Sequence, residues 1–397
     1  MMKRIIVSLL LLVSTSSVTN RMAVAAELSQ YAANKAMKAN QLAQEDKLSQ
    51  AIETLKTADV SRGYDKAYFS RMLGVFYWQN EQIKPAINAL EQAVASGELK
   101  DDQGWLTERM LADLLLMNQQ FKQALPHYYQ LSKNIPQTQN ASELWLRISQ
   151  VHYQIEQWQK TLNAIAEYDK YKQPDAVTPL SVKLGAQLQL ERWEEAIPTL
   201  KKLINLEPER SNWWLQLVNL ELRTGKKKDA LSSLGLAQLQ KIELSDADLR
   251  LLAQLYAHNG IPERAGLVLE QLKDAQTNVD LITERAFYWQ RAKEWDKAID
   301  TWALAAKFDG KYHWNIAQIL MQQARYDDAL SELDNVKEKG KQAQVALART
   351  KALYKLNQLE PALIEAKKAN NIEPSDEAKS WIKYLTQLRK AKDNQTS

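Results

Sequence analysis

At 397 residues the chain is too long for one ordinary compact domain unless it is built from repeats. Hydrophobic residues at 45% and charged residues at 25% exclude an intrinsically disordered chain, and 11 glycines with 10 prolines are too few for a turn-rich all-β fold. The absence of cysteine excludes disulfides, thiolate metal sites, cysteine nucleophiles and a lipidated N-terminal cysteine.

Residues 1–25 have the order of a secretory signal. Lys3 and Arg4 precede an apolar run from Ile5 to Val13, and Ala23-Val24-Ala25 is a small-x-small cleavage site. The run is about half the ~20 residues that a membrane span needs. The predicted cleavage lies after Ala25 or Ala26. It removes Lys3, Arg4 and Arg21, so the formal charge of +4 falls to 4 − 3 = +1. A surface so nearly balanced carries no electrostatic footprint for nucleic acid. The brevity of the segment points to the bacterial periplasm.

From residue 26 to 374 one unit repeats. A small residue opens every second helix at Ala51, Ala86, Ala124, Thr161, Ala196, Ala230, Ala265, Ala298, Ala329 and Ala362. The first helix of a unit carries a small residue where the two helices cross, at Gly74, Ala112, Ala253, Ala286 and Ala317. An apolar residue three positions later seals the pair, at Tyr77, Leu115, Tyr256, Trp289 and Leu320. Gly225 and Gly260 mark the turns inside units. Pro85, Pro262 and Pro361 stand near the start of the second helix, Pro126 and Pro198 are placed in its first turn, and Pro136, Pro208 and Pro374 stop it. Pro174 and Pro179 fall in the loop after Tyr171. Ala39, Ser149 and Thr350 fill the crossing slot in the more degenerate units. In the fifth unit Gly185 lies one residue short of the usual spacing to Ala196, which leaves that turn open. From Ser375 to about Lys392 a last helix, apolar along Trp381, Leu385 and Leu388, caps the array, so that residues 375–397 form a cap and a frayed polar tail.

With a period of about 34 residues, Leu73-Gly74-Val75-Phe76-Tyr77 followed by Pro85-Ala86-Ile87, and Trp214-Leu215-Gln216-Leu217 running to Gly225 and Ala230, resemble the tetratricopeptide repeat (TPR). The resemblance implies an all-α fold, a right-handed α-solenoid of about ten helix pairs with a C-terminal capping helix. Its first helices would line an inner face. On that face the register places Tyr68, Arg71, Trp78, Arg109, Tyr153, Asn219, Arg223, Arg250, Phe287, Arg291, Trp314, Tyr354 and Lys355 as side chains available to a protein partner, since aromatic residues and arginine anchor interfaces. The Lys/Asn carboxylate clamp of chaperone-binding TPR domains is not matched.

No catalytic constellation is present. Asp101-Asp102, Glu194-Glu195 and Asp327-Asp328 read as solvated helix starts, and there is no HExxH, P-loop, G-x-G-x-x-G or G-x-S-x-G. His127, His152, His258 and His313 are scattered over different units; His152 fills a sealing slot, and His258 and His313 are candidates for the groove. Trp145, Trp214, Trp289 and Trp302 fall on buried slots. The expectation is a non-catalytic protein-binding scaffold without a cofactor. Ser70-Arg71-Met72-Leu73-Gly74-Val75-Phe76-Tyr77-Trp78, and Trp105 to Leu114 with Ala124 to Tyr129, are similar to a periplasmic TPR family that accompanies TonB–ExbB–ExbD systems in gammaproteobacteria. That similarity implies an accessory role in energy-driven transport with TonB-, ExbB- or ExbD-type partners. The alternative is a substrate-recognition or assembly factor for another envelope machine, such as polysaccharide export or cytochrome maturation.

Overall fold

In the computed structural model, residues 28–396 are described. The signal segment 1–25 lies outside them. The described residues form α-helices joined by short turns and two 3₁₀ turns, with no strand among them. The chain divides into two units, residues 1–206 and 207–397.

The first unit holds five antiparallel pairs: α1 (Gln30–Gln44) with α2 (Leu48–Lys56), α3 (Gly63–Gln79) with α4 (Ile83–Ala95), α5 (Asp101–Met117) with α6 (Phe121–Ser132), α7 (Ala141–Gln154) with α8 (Trp158–Asp169), and α9 (Val177–Gln189) with α10 (Trp193–Leu206). The second unit continues with α11 (Ser211–Arg223) and α12 (Lys227–Leu239), α13 (Asp246–His258) and α14 (Pro262–Leu269), α15 (Val279–Arg291) and α16 (Trp295–Ala306), α17 (His313–Gln322) and α18 (Tyr326–Asp334), and α19 (Gln342–Lys355) and α20 (Leu359–Ile372). It ends with α21 (Asp376–Thr396). The fold is an α-solenoid of TPR-like helix pairs.

The repeat follows from close packing. All ten residues in the small slot of the second helix, from Ala51 to Ala362, are 0% exposed. A larger side chain there would hold the neighbouring helix off. At the second crossing, a Cβ on Gly74 would lie 2.5 Å from Leu90 Cγ, so only glycine permits that approach of α3 to α4. Where a slot holds a hydroxyl, the hydroxyl bonds to its own helix. Ser149 donates to the Leu146 carbonyl at 2.7 Å, Thr161 to Gln157 at 3.3 Å and Thr350 to Ala346 at 2.8 Å. Each is thereby buried without an orphaned polar group.

The turn within every pair is one motif. The residue two places beyond the first helix has positive φ at Asp46, Glu81, Gln119, Glu156, Glu191, Gly225, Gly260, Lys293, Ala324 and Asn357. Its own N–H and that of the next residue return to the last turn. Gln119 N–H bonds Leu116 O at 3.0 Å and Gln120 N–H bonds Leu115 O at 2.8 Å, the Schellman closure. The fifth turn, at Glu191, has the same form. Leu184 occupies the crossing slot twelve residues before Ala196, and Gly185 has a different purpose: its missing Cβ admits Tyr153, whose hydroxyl would stand 2.5 Å from it.

The prolines need two corrections. Pro126 and Pro198 lie inside α6 and α10, one turn further in than the sequence register places them. Pro179 is a buried residue in the first turn of α9 and not part of the loop. The capping helix begins as expected, with Ser375 Oγ accepting the Ala378 N–H at 3.2 Å, and Leu385 is fully buried. It runs to Thr396 and not to Lys392, because no Pro or Gly interrupts the polar tail.

Candidate protein-binding surface

In the first unit the aromatic and arginine side chains expected on the inner face are largely taken up by packing. Tyr68 is half-buried against the α1–α3 core, 6.2 Å from the Tyr64 ring. Arg71 is half-buried, with Nε out of reach of any hydrogen-bond partner, and burial lowers its pKa against the opposing influence of Tyr68 and Tyr64. Trp78 packs on the cluster around Leu111 and Leu115. Tyr153 meets Trp158 edge-on at 5.1 Å.

Arg109 departs furthest from the expectation. Its side chain is 13% exposed. Nε donates to Asp113 Oδ2 at 3.0 Å, and Nη2 donates to Glu143 Oε1 at 3.1 Å on the next pair's first helix. Burial works against its charge, but Asp113 and Glu143 outweigh it and hold the guanidinium above its ordinary value. Asp113 also receives the hydroxyl of fully buried Tyr128, whose pKa burial and this carboxylate push upward. Arg109 is therefore a clasp between α5 and α7, not an open anchor.

In the second unit, Arg250 repeats the arrangement at the surface. Its Nη2 lies 2.8 Å from Glu284 Oε2, and Glu284 Oε1 accepts the Tyr288 hydroxyl at 2.9 Å. Burial and Glu284 push Tyr288 up to about 12. Trp314 is half-buried in a small cluster under Lys341, and Tyr354 bonds Tyr384 and packs on Trp381. Lys355 is exposed at the end of α19, and Asn219 and Arg223 are exposed on α11. Arg223 has an interaction partner.

Of the aromatic candidates, the one that stays exposed is on α15. Phe287 is 52% exposed, and the Arg291 guanidinium lies 5.8 Å from its ring. Glu284, Phe287 and Arg291 stand three and four residues apart on one helix face, and Glu284 brings Arg250 from α13 to the same face. A large apolar ring flanked by an arginine and an ion pair is chemistry suited to a peptide or helix, with no group placed for bond breaking.

His152, His313 and His127 are structural, whereas His258 is exposed at the end of α13. His152 is 1% exposed; its Nε2 lies 2.6 Å from the Tyr129 hydroxyl and its Nδ1 3.0 Å from Gln157 Oε1. His313 pairs with Glu332 at 2.7 Å and His127 with Glu108 at 3.2 Å, so His313 is tied between α17 and α18 and does not serve the groove. Trp289, Trp302 and Trp214 are buried, and Trp145 is half-buried against the core. Glu194, Glu195, Asp327 and Asp328 lie in first turns of helices. Among the described residues no group of three or more His, Asp or Glu side chains could hold a metal, and no helix is long and apolar enough to cross a membrane.

One residue escaped the sequence reading. Arg285 on α15 is 4% exposed and has two guanidinium nitrogens without a hydrogen-bond partner. The signal was available in the repeat register. The residue before the crossing slot is apolar in most pairs, as at Leu73, Leu111, Ile148, Leu217, Leu252 and Ile316.

Comparison with known proteins adds little beyond the architecture. Residues 167–241 match the family model described as bacterial transcriptional activator domain. No curated protein matches the chain. Among solved structures, MamA (residues 41 to the end) from Desulfovibrio magneticus RS-1 is similar at 17% identity, covering 45% of this chain and 96% of its own, with a TM-score of 0.36. A tetratricopeptide repeat protein from Parabacteroides merdae ATCC 43184 is similar at 12% identity, covering 82% of this chain and 100% of its own, with a TM-score of 0.26. The Cut9–Hcn1 hetero-tetramer of APC/C is similar at 13% identity, covering 89% of this chain and 83% of that one, with a TM-score of 0.28. Similarity at this level says nothing about ligand or partner.

Proposed function

We propose that the protein is a non-catalytic, protein-binding scaffold of the bacterial periplasm, an accessory component of a TonB–ExbB–ExbD energy-transduction system. The observation that carries the binding role is the half-exposed Phe287 between Arg291 and the Arg250–Glu284 pair. A phenyl ring held open on a helix costs hydrophobic free energy unless something covers it. The compartment rests on the signal-like order of residues 1–25, and the TonB setting on the similarity of residues 70–78 and 105–129.

The test is a photo-crosslinking residue placed at Arg291 in intact cells, with crosslinked envelope proteins identified by mass spectrometry. The reading expects TonB-, ExbB- or ExbD-type proteins among the adducts, and several-fold less adduct when Phe287→Ala is added. Equal recovery with and without Phe287 removes this surface from the function. Fractionation with N-terminal sequencing tests the compartment: a chain that starts at Met1 in the cytosol overturns it.

A further inference from the structure

We propose that the second unit carries a carboxylate-binding cleft between the segment after α14 and helix α16, with Arg285 as its anchoring residue. The cleft has a volume of ≈ 420 Å³ and is lined by Arg285, Glu270, Lys297, Asp300, Thr301 and Lys307, among others. This volume lies within the range of ordinary small-ligand sites, about 300–1,000 Å³.

Arg285 is out of place by the logic of the fold. Its position in the pair is leucine or isoleucine in six of the other nine pairs, and two more hold a solvated or paired lysine, exposed Lys38 and Lys183, which pairs with Asp169. The one other arginine there, Arg349, is compensated: it pairs with Asp334, and its Nε lies 3.3 Å from Glu365 Oε1. Arg285 Nε and Nη1 are buried with no hydrogen-bond partner. Burial lowers its pKa, and nearby Glu270 opposes this without bonding to it. A guanidinium withdrawn from water and left with unpaired donors is costly to the folded chain, and an anion in the cleft it lines would offset that cost.

The charges around the cleft select the kind of anion. Arg285, Lys297 and Lys307 contribute three positive charges, and Glu270 and Asp300 two negative ones, which leaves an excess of +1. Lys297 is held 4.6 Å over the Trp289 ring and 3.5 Å from Glu294, so it borders the site from a fixed position. A monovalent carboxylate matches this balance better than a phosphate dianion, which Glu270 and Asp300 would repel. The Thr301 hydroxyl already donates to the Lys297 carbonyl at 2.6 Å and leaves its lone pairs toward an incoming donor only. The anion's donors are thus Arg285 and the two lysines. Arg285 and Phe287 are two residues apart and so lie on opposite sides of α15, which makes this cleft separate from the proposed protein-binding face.

The carboxylate could belong to a free small acid or to an acidic peptide, and one experiment separates these sources. The purified protein is titrated with sodium acetate, with a short end-blocked peptide carrying a single glutamate and with inorganic phosphate, at matched ionic strength, and read by thermal shift and calorimetry. Either carboxylate raising the melting temperature by at least about 2 °C supports the site, and the tighter of the two identifies the source. Arg285→Leu, which gives the apolar residue type of most other pairs, is expected to melt higher than wild type without ligand and to bind the carboxylate at least about tenfold more weakly. Lys307→Ala is expected to weaken binding less. The assignment is overturned if phosphate binds better than both carboxylates, if no probe binds, if Arg285→Leu binds as wild type does, or if Arg285→Leu melts lower than wild type. Phe287→Ala leaves carboxylate binding unchanged on this assignment, so the cleft and the crosslinking surface can fail independently.

Discussion

Arg109 reaches Glu143, 34 residues further along the chain, with Nη2 and Oε1 3.1 Å apart, and in the second unit Arg250 reaches Glu284 across the same interval at 2.8 Å. One period of the repeat thus separates each arginine from its acid, and each ion pair ties the first helix of one helix pair to the first helix of the next within the same unit. The two differ in burial: the Arg109 side chain is 13% exposed and that of Arg250 46%. Arg109 also holds Asp113, which receives Tyr128. Arg109→Ala is therefore expected to destabilise the protein by about 1–3 kcal/mol, and Arg250→Ala by less than about 1 kcal/mol. Urea denaturation followed by circular dichroism decides it, and equal losses in the two variants would contradict the burial argument.

The packing of the pairs was legible in the sequence, because it depends on residue size at fixed spacing. Every one of the ten slots from Ala51 to Ala362 is fully buried. The fate of the arginines and aromatics was not legible in the same way. Spacing places Arg109 on the right helix face but says nothing of Glu143, which comes into reach only when α5 and α7 stack. Gly185 likewise reads as a shifted crossing residue until Tyr153 is seen beside it. Arg285 was readable in principle, since charge at a slot that most pairs fill with leucine or isoleucine is visible when the repeats are laid over one another. Its lack of a partner is a property of the folded pair alone.

Two glycines should respond oppositely to alanine. At Gly74 a Cβ would stand 2.5 Å from Leu90 Cγ, too close for any carbon contact, so α3 and α4 must separate or Leu90 must move. Gly74→Ala is expected to cost about 1–3 kcal/mol. At Gly235, inside α12, the nearest atom to a Cβ is the Tyr256 hydroxyl at 3.4 Å. There Gly235→Ala should stabilise by up to about 1 kcal/mol through helix propensity. Thermal melts of the two variants test the assignment, and a stabilised Gly74→Ala would refute the crossing contact.

The helix-pair turns predict stabilising changes. Eight of the ten turn residues with positive φ are not glycine, among them Lys293 at 60° and Ala324 at 58°. An L-residue in this region carries strain of about 1–2 kcal/mol, partly offset by the greater freedom that glycine has in the unfolded chain. Lys293→Gly and Ala324→Gly should each raise stability by about 0.5–1 kcal/mol. The reverse change, Gly225→Ala at φ 76°, should lower it although nothing lies within 4 Å of the added methyl. Chemical denaturation of the three variants separates backbone strain from contact, because only strain accounts for a loss at Gly225.

His152 makes stability depend on pH. Burial lowers its pKa below 6.5; the bond to Gln157 works the other way, and Lys160 adds to the lowering. Gln157 Oε1 can only accept, so Nδ1 carries the proton and Nε2 accepts from the Tyr129 hydroxyl. A group whose folded pKa is depressed favours its deprotonated form in the native state. Its contribution is whole above the unfolded value near 6.5, and it is lost as pH falls from there through the folded value. Protonation would remove the acceptor for Tyr129 and place a charge in a site that is 1% exposed. The melting temperature of the wild type should therefore hold steady above about pH 7 and decline below about pH 6.5. His152→Gln keeps hydrogen-bonding atoms in the slot and cannot titrate, so it should start lower and decline less over that interval. Parallel declines in the two proteins between pH 7 and pH 5 would assign the acid sensitivity to other groups.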